Sequence, residues 1–204
     1  MIIFVLPVYN EERNIERLLG ELSGRAREKN WDYRICIADD GSRDNTVRIA
    51  ESMKGKIPLE VAANPVNMGP GAAFDRGFRH VLEYTGPEDI VVTMEADNTS
   101  DLEILDKMLE RIRSGADLVL ASCYAKTGEV KGTTFYRKIL SKGANLLIRM
   151  ISRNKEIQTY SSFYRCYRAG LLKRAYELYG NRFVEEQGFV CAVDILLKLQ
   201  KLGI

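Results

Sequence analysis

The chain is expected to fold as an α/β protein, a mostly parallel central sheet flanked by helices. Two observations predict this. Short Ile- and Val-rich runs occur at strand length, and segments of helical period alternate with them in the order βαβαβαβα and then β. The size agrees, since 204 residues with 46% hydrophobic and 28% charged side chains suffice for one continuous core without metal or disulfide staples.

The apolar runs fall at residues 2–6, 34–38, 59–63, 90–94 and 117–121, each of strand length. Between them, residues 11–29 place Ile15, Leu18, Leu19 and Leu22 on one stripe, and similar stripes mark residues 44–53, 71–84 and 102–112 as helices. After Ala121 comes a Gly- and Thr-bearing loop, 126–134. Helical segments follow at 135–152, 168–179 and 188–202, a half expected to cover the mouth of the sheet. No repeat, linker or low-complexity tract divides the chain.

Charge and cysteine usage exclude several classes. Thirty Lys and Arg against 28 Asp and Glu leave +2, too little for the phosphate-neutralising field of a nucleic-acid binder. Cys36, Cys123, Cys166 and Cys191 form no C-x-x-C pair, and His80 is the one histidine, so neither a zinc site nor a disulfide framework is expected. The N-terminus runs directly into an apolar strand, and no apolar stretch approaches the roughly 18 residues of a membrane span, which points to a cytoplasmic protein.

Chemistry is expected at the carboxyl ends of the strands, where open α/β sheets bind ligands. The first strand runs into Pro7-Val8-Tyr9-Asn10-Glu11, with Asn10 either capping the next helix or facing a ligand beside Tyr9 and Glu11. The second ends in Asp39-Asp40-Gly41-Ser42. Adjacent carboxylates repel unless donors or a cation compensate, which favours a polar ligand at Asp40, whereas Asp44 serves equally well as a helix cap. Gly69 and Gly71 open the third helix, where free N–H groups can receive a phosphate, although the spacing is neither G-x-G-x-x-G nor a P-loop. The fourth strand delivers Glu95-Ala96-Asp97. Residues i and i+2 of an extended segment share a side, so these two carboxylates can converge on a divalent cation.

Pro7-Val8-Tyr9-Asn10-Glu11, Asp39-Asp40-Gly41-Ser42, Asn67-Met68-Gly69-Pro70-Gly71 and Glu95-Ala96-Asp97 resemble, in order and spacing, the family 2 inverting glycosyltransferases of GT-A (Rossmann-like) fold, and the polyprenyl-phosphate glycosyltransferases among them. Arg137 with Ser141, the stretch from Ser161 to Arg168, and Gly188-Phe189 resemble that group's later motifs. The resemblance implies that Pro7, Tyr9, Glu11, Ala38 and Asp40, with Asn67 and Gly69, hold the nucleoside of a GDP- or UDP-sugar. It implies that Glu95 and Asp97 hold Mg²⁺ or Mn²⁺, that Arg137, Ser141 and Arg165 meet phosphate charge, and that Asp97, Arg137 and Arg165 are the catalytic residues.

It also implies one catalytic domain over 1–204, with a nucleotide-sugar half at 1–121 and an acceptor half at 122–204. Relatives continue past Ile204, so a C-terminal truncation is expected. The acceptor is expected to be a polyprenyl phosphate, with peripheral contact to the cytoplasmic face of a membrane through an amphipathic segment at 135–151. Alternatives are a saccharide hydroxyl, with Glu185 or Glu186 as base, and a nucleotide-binding relative without transferase activity. Departures from the family pattern are Glu95 for Asp, Thr99 for Gln, Cys123 for Arg, Thr159 for Asp and Phe163 for Gly.

Overall fold

A computed structural model of the chain describes residues 1–122 and 159–203. The expected loop at 126–134 and helix at 135–152, with Cys123, Arg137 and Ser141, lie outside the described residues.

Among the described residues six strands form one sheet: β1 (Ile2–Val8), β2 (Tyr33–Asp39), β3 (Leu59–Ala63), β4 (Ile90–Thr93), β5 (Leu118–Leu120) and β6 (Arg165–Arg168). Their spatial order is β3-β2-β1-β4-β6-β5. The pairs β3–β2, β2–β1 and β1–β4 are parallel, while β6 runs antiparallel to both neighbours. The order reverses between β2–β1 and β1–β4, so a topological switch point opens at the carboxyl ends of β1 and β4.

Among the described residues six α-helices cover the sheet: α1 (Ile15–Glu28), α2 (Thr46–Met53), α3 (Pro70–Leu82), α4 (Leu102–Arg113), α5 (Ala169–Tyr179) and α6 (Cys191–Gln200). Alternation along β1 sends Ile2, Phe4, Leu6 and Val8 into a core under α1, α2 and α4, and Ile3 and Val5 into a second core under α3, α5 and α6. A strand buried on both faces reads as a continuous apolar run, as β1 does. Helix α3 lies close against the sheet because Gly77 carries no side chain; a Cβ there would stand 2.6 Å from Val5 Cγ1 and 2.9 Å from Ala38 Cβ. Helix α4 is capped by Asp101, whose carboxylate accepts from Glu103 N–H at 2.8 Å. On α6, Lys198 meets Asp194 at 2.7 Å, an i,i+4 ion pair.

Two elements differ from expectation. Strand β6 inserts between β4 and β5, where the sequence suggests only a motif. It is four residues long and carries Arg165 and Arg168 in place of β-branched residues, so its strand signal is weak. Helix α1 begins at Ile15, not Glu11, because residues 10–12 are tied to the β2–α2 loop instead of the first helical turn.

Candidate functional site

The loops after β1 and β2 hold each other through reciprocal hydrogen bonds. Asn10 N–H donates to Ser42 Oγ at 2.9 Å, and Arg43 N–H returns one to Asn10 Oδ1 at 2.8 Å. Glu11 N–H donates to Thr46 Oγ1 at 2.7 Å and Glu12 N–H to Asp44 Oδ2 at 3.1 Å, while Glu12 Oε2 accepts from the main chain and side chain of Asn45. Asn10 therefore staples two loops in a left-handed conformation (φ 56°) and does not cap α1. Burial pushes the Asp44 carboxyl up, but the hydroxyl and N–H of Thr46 and the N–H of Glu12 outweigh it and hold its pKa below the ordinary carboxylate value.

Protein donors also compensate the adjacent carboxylates Asp39 and Asp40. Asp39 Oδ2 accepts from Gly41 and Ser42 N–H, both at 3.0 Å, while its Oδ1 is buried without a hydrogen-bond partner. Asp40 is buried (3% exposed) and accepts from Asn64 Nδ2 and Met68 N–H at 3.0 Å and from Gly69 N–H at 2.7 Å. Three donors leave its carboxylate one further acceptor direction toward a ligand.

The start of α3 corrects a second expectation. Pro70 has no N–H, Gly71 N–H donates to Gln187 O at 2.8 Å, and the N–H groups of Ala72 and Ala73 reach Gly69 O. The segment before α6 sits directly on this helix end; a Cβ on Gly71 would stand 1.9 Å from Glu186 O. These N–H groups are occupied by the chain itself, so the helix start is not the phosphate cradle that its glycines suggest.

A cavity of about 520 Å³ opens at the switch point. Its wall includes Pro7, Tyr9 and Glu11 from the end of β1, Asp40 from β2, Asn67 and Gly69 from the turn before α3, and Glu95 and Asp97 from beyond β4. Glu11 is oriented by Asn14 Nδ2, which donates to its Oε2 at 2.7 Å. Residues that sequence reasoning did not assign to the site complete the wall: Val8, Pro70, Ala73, Phe74, Ala96, Phe163 and Phe189. Among these, Phe163 carried a signal as an aromatic where the family pattern has glycine, and Phe189 one as part of the Gly188-Phe189 motif.

Two expected residues are placed elsewhere. Ala38 is fully buried under α3 and does not line the cavity. Arg165 is 1% exposed; its Nε donates to Ser162 O at 2.7 Å and its Nη2 to Tyr160 O at 2.8 Å and Ala192 O at 2.7 Å. A guanidinium engaged with three main-chain carbonyls in the core is a positioning group, not a surface contact for phosphate.

The acidic pair behaves differently from Asp39 and Asp40. Burial first, and the neighbouring charge of Asp97 second, hold the Glu95 pKa above the ordinary glutamate value, with its own main-chain N–H and the Arg165 charge opposing. Asp97 is exposed, and its Oδ1 accepts from Thr99 N–H at 3.0 Å and Thr99 Oγ1 at 2.7 Å. Among the described residues no three His, Cys, Asp or Glu side chains gather as a metal cluster. Two carboxylates nevertheless fit Mg²⁺ or Mn²⁺, hard cations that complete their shells with phosphate oxygens and water, and a cation would relieve the repulsion that raises Glu95.

A parallel-centred sheet with a nucleotide-sized cavity and an acidic pair at its switch point defines an α/β protein of the GT-A type. Residues 3–177 match the Glycosyl transferase family 2, and the chain belongs to that family. It is 35% identical over 146 residues to the dolichol-phosphate mannosyltransferase of Pyrococcus furiosus, covering 72% of this chain and 40% of that one. It is 30% identical over 203 residues to the undecaprenyl-phosphate mannosyltransferase of Micrococcus luteus, covering 99% and 79%. This chain thus spans well under half of the first relative and most of the second. A crystal structure of glucosyl-3-phosphoglycerate synthase from Mycobacterium tuberculosis, holding Mn²⁺, UDP and phosphoglyceric acid, is similar with a TM-score of 0.68 at 20% identity, over 100% of this chain and 65% of that one. At that identity the likeness shows a shared fold.

Proposed function

We propose that the protein transfers a hexosyl group from a UDP- or GDP-sugar to a polyprenyl phosphate, with inversion at the anomeric carbon. One observation carries the reading: groups suited to a nucleoside (Tyr9, Glu11, Asp40, Asn67) and a carboxylate pair suited to a hard cation (Glu95, Asp97) line a single cavity. The two mannosyltransferases named above act, by their names, with dolichol phosphate and undecaprenyl phosphate, which supports the acceptor class. The Mn²⁺ and UDP held by the structural relative support the donor and the metal.

In this reading Asp40 fixes the turn at Met68–Gly69 against the nucleoside and offers it the remaining acceptor direction. Glu95 and Asp97 would hold the divalent cation, which supplies positive charge against the diphosphate as it departs. The bond from the anomeric carbon to the diphosphate oxygen breaks, its electrons leave with the nucleoside diphosphate, and an acceptor phosphate oxygen bonds to the opposite face. That oxygen is already anionic, so no proton is removed and no general base is required. Glu185 and Glu186, the candidate bases toward a hydroxyl acceptor, are exposed and absent from the cavity wall; Glu185 lies 3.7 Å from Lys198. Residues 1–121 supply most of the donor site and 122–204 the acceptor side, apart from Phe163 and Phe189 in the wall of the donor cavity, with Arg137 and Ser141 meeting phosphate. In this reading the acceptor is reached from the cytoplasmic membrane surface; no helix among the described residues is long and apolar enough to cross a membrane.

The test is sugar transfer from a panel of UDP- and GDP-sugars, with Mn²⁺, to dolichyl and undecaprenyl phosphate compared with oligosaccharides. Product on the lipid phosphates is expected. Product on the oligosaccharides alone, lost in Glu185→Gln or Glu186→Gln, would overturn the acceptor assignment.

A further inference from the structure

The cavity has two chemically distinct sides, and the second has no role in the account above. Beside Glu95 stands an aromatic group: Phe163 stacks on Phe74 with ring centroids 4.9 Å apart and 27° between planes, and Phe189 tilts against Phe163 at 6.1 Å. All three line the cavity. Phe189 is 77% exposed, which an isolated phenyl ring gains nothing by being, whereas Phe163 is 8% exposed and supports it from below.

Phe163 is held from two directions. Its carbonyl accepts from Thr93 Oγ1 at 2.6 Å, tying it to the strand that delivers Glu95 two residues later. Arg165, two residues later, fixes the chain just before it through the carbonyls of Tyr160 and Ser162. The ring is therefore built into the wall beside the acidic pair, and the buried Arg165 is what positions it.

We propose that Phe163 is a specificity-determining residue for the sugar: with Phe74 behind it and Phe189 beyond, it forms an apolar platform that receives the C–H face of a neutral pyranose and rejects a uronate. The inference rests on the nucleotide-sugar reading of the cavity. A sugar joined to a diphosphate lies next to whatever holds that diphosphate, and Glu95 and Asp97 adjoin this wall. Phenyl rings match the apolar face of a pyranose, but they give no hydrogen bond to a sugar carboxylate, which would lose its hydration against them.

Calorimetry with Mn²⁺ on the full chain separates the two claims. Binding of UDP or GDP alone tests the nucleotide reading; the ratio of nucleotide-sugar to nucleotide affinity tests the platform. Wild type is expected to bind UDP-glucose or GDP-mannose more tightly than the parent nucleotide, and to gain nothing from UDP-glucuronate or GDP-mannuronate. Phe163→Leu, which keeps apolar volume, and Phe163→Gly are expected to lower the hexose gain, taken as the ratio to each variant's own UDP or GDP affinity, by about three- to tenfold. Thermal melts identify a variant that fails to fold, in which case Phe163→Leu decides. An unchanged or increased hexose gain in the folded variant, or an equal gain for the uronate in wild type, would overturn the platform. Failure of wild type to bind either nucleotide would overturn the nucleotide reading and the platform with it.

Discussion

The carboxylates that follow β2 and those that follow β4 occupy equivalent places on one sheet yet do different work. Asp39, Asp40 and Asp44 accept hydrogen bonds from main-chain N–H groups of the surrounding loops, so they are structural anions that hold the cavity's shape. At Glu95 burial first and the Asp97 charge second hold the pKa up, while Asp97 is exposed and accepts only from the local Thr99 turn. Acidity that is satisfied internally builds a site; acidity left in tension is available to a cation.

Breaking the tense side should remove activity and leave the fold intact. Asp97→Ala is expected to lower transfer by about a hundredfold or more, since charge stabilisation of a leaving group contributes several kcal/mol. Its urea midpoint should stay close to wild type because Asp97 is exposed and bonds only the local Thr99 turn.

Breaking the side engaged by main-chain donors should cost stability as well as nucleotide binding. Asp40→Ala leaves the N–H groups of Met68 and Gly69 without their acceptor, and a loss of about 2–4 kcal/mol in urea denaturation is expected. Gly71→Ala is expected to cost about 2 kcal/mol or more, because the added Cβ would overlap Glu186 O and force α3 away from the segment before α6.

The pH response sharpens the same contrast. Glu95 titrates above its ordinary value of 4.5. Between that value and its raised native value the folded chain holds a proton that the unfolded chain has released, so this group makes stability fall as pH rises through the window. Glu95→Gln should remove that slope from urea denaturation in chelator. For Asp44, whose native pKa is lowered, the contribution is present above the unfolded value of 3.8 and is lost as pH falls through the native one. The smallest effect belongs to an exposed pair such as Arg17–Glu21, where Arg17→Ala should change stability by less than about 0.5 kcal/mol.

How far these differences could be read in advance depends on the range of the interactions. The five Ile- and Val-rich strands and the i,i+2 spacing of Glu95 and Asp97 are local signals and were legible. The donors to Asp40 lie 24 to 29 residues away, so the aspartate looked free for a ligand when it is largely engaged by the chain. Strand β6 was hidden because its pairing partners, not its composition, make it a strand. Arg165 looked like a phosphate contact because its carbonyl partners come from the loop before β6 and from α6, which only tertiary packing brings together. Phe163 was visible as a departure from the family pattern, but its stacking on Phe74, 89 positions earlier in the chain, was not.

The central claim, that the β4 carboxylates hold a cation against a nucleotide diphosphate, is tested most directly by electron paramagnetic resonance of Mn²⁺. Titration into wild type with UDP or GDP should show bound Mn²⁺ at concentrations where either component alone shows little, and Asp97→Asn and Glu95→Gln should each weaken that binding by about tenfold or more. Mn²⁺ bound equally by wild type and both variants, or no bound Mn²⁺ with either nucleotide, would contradict the account.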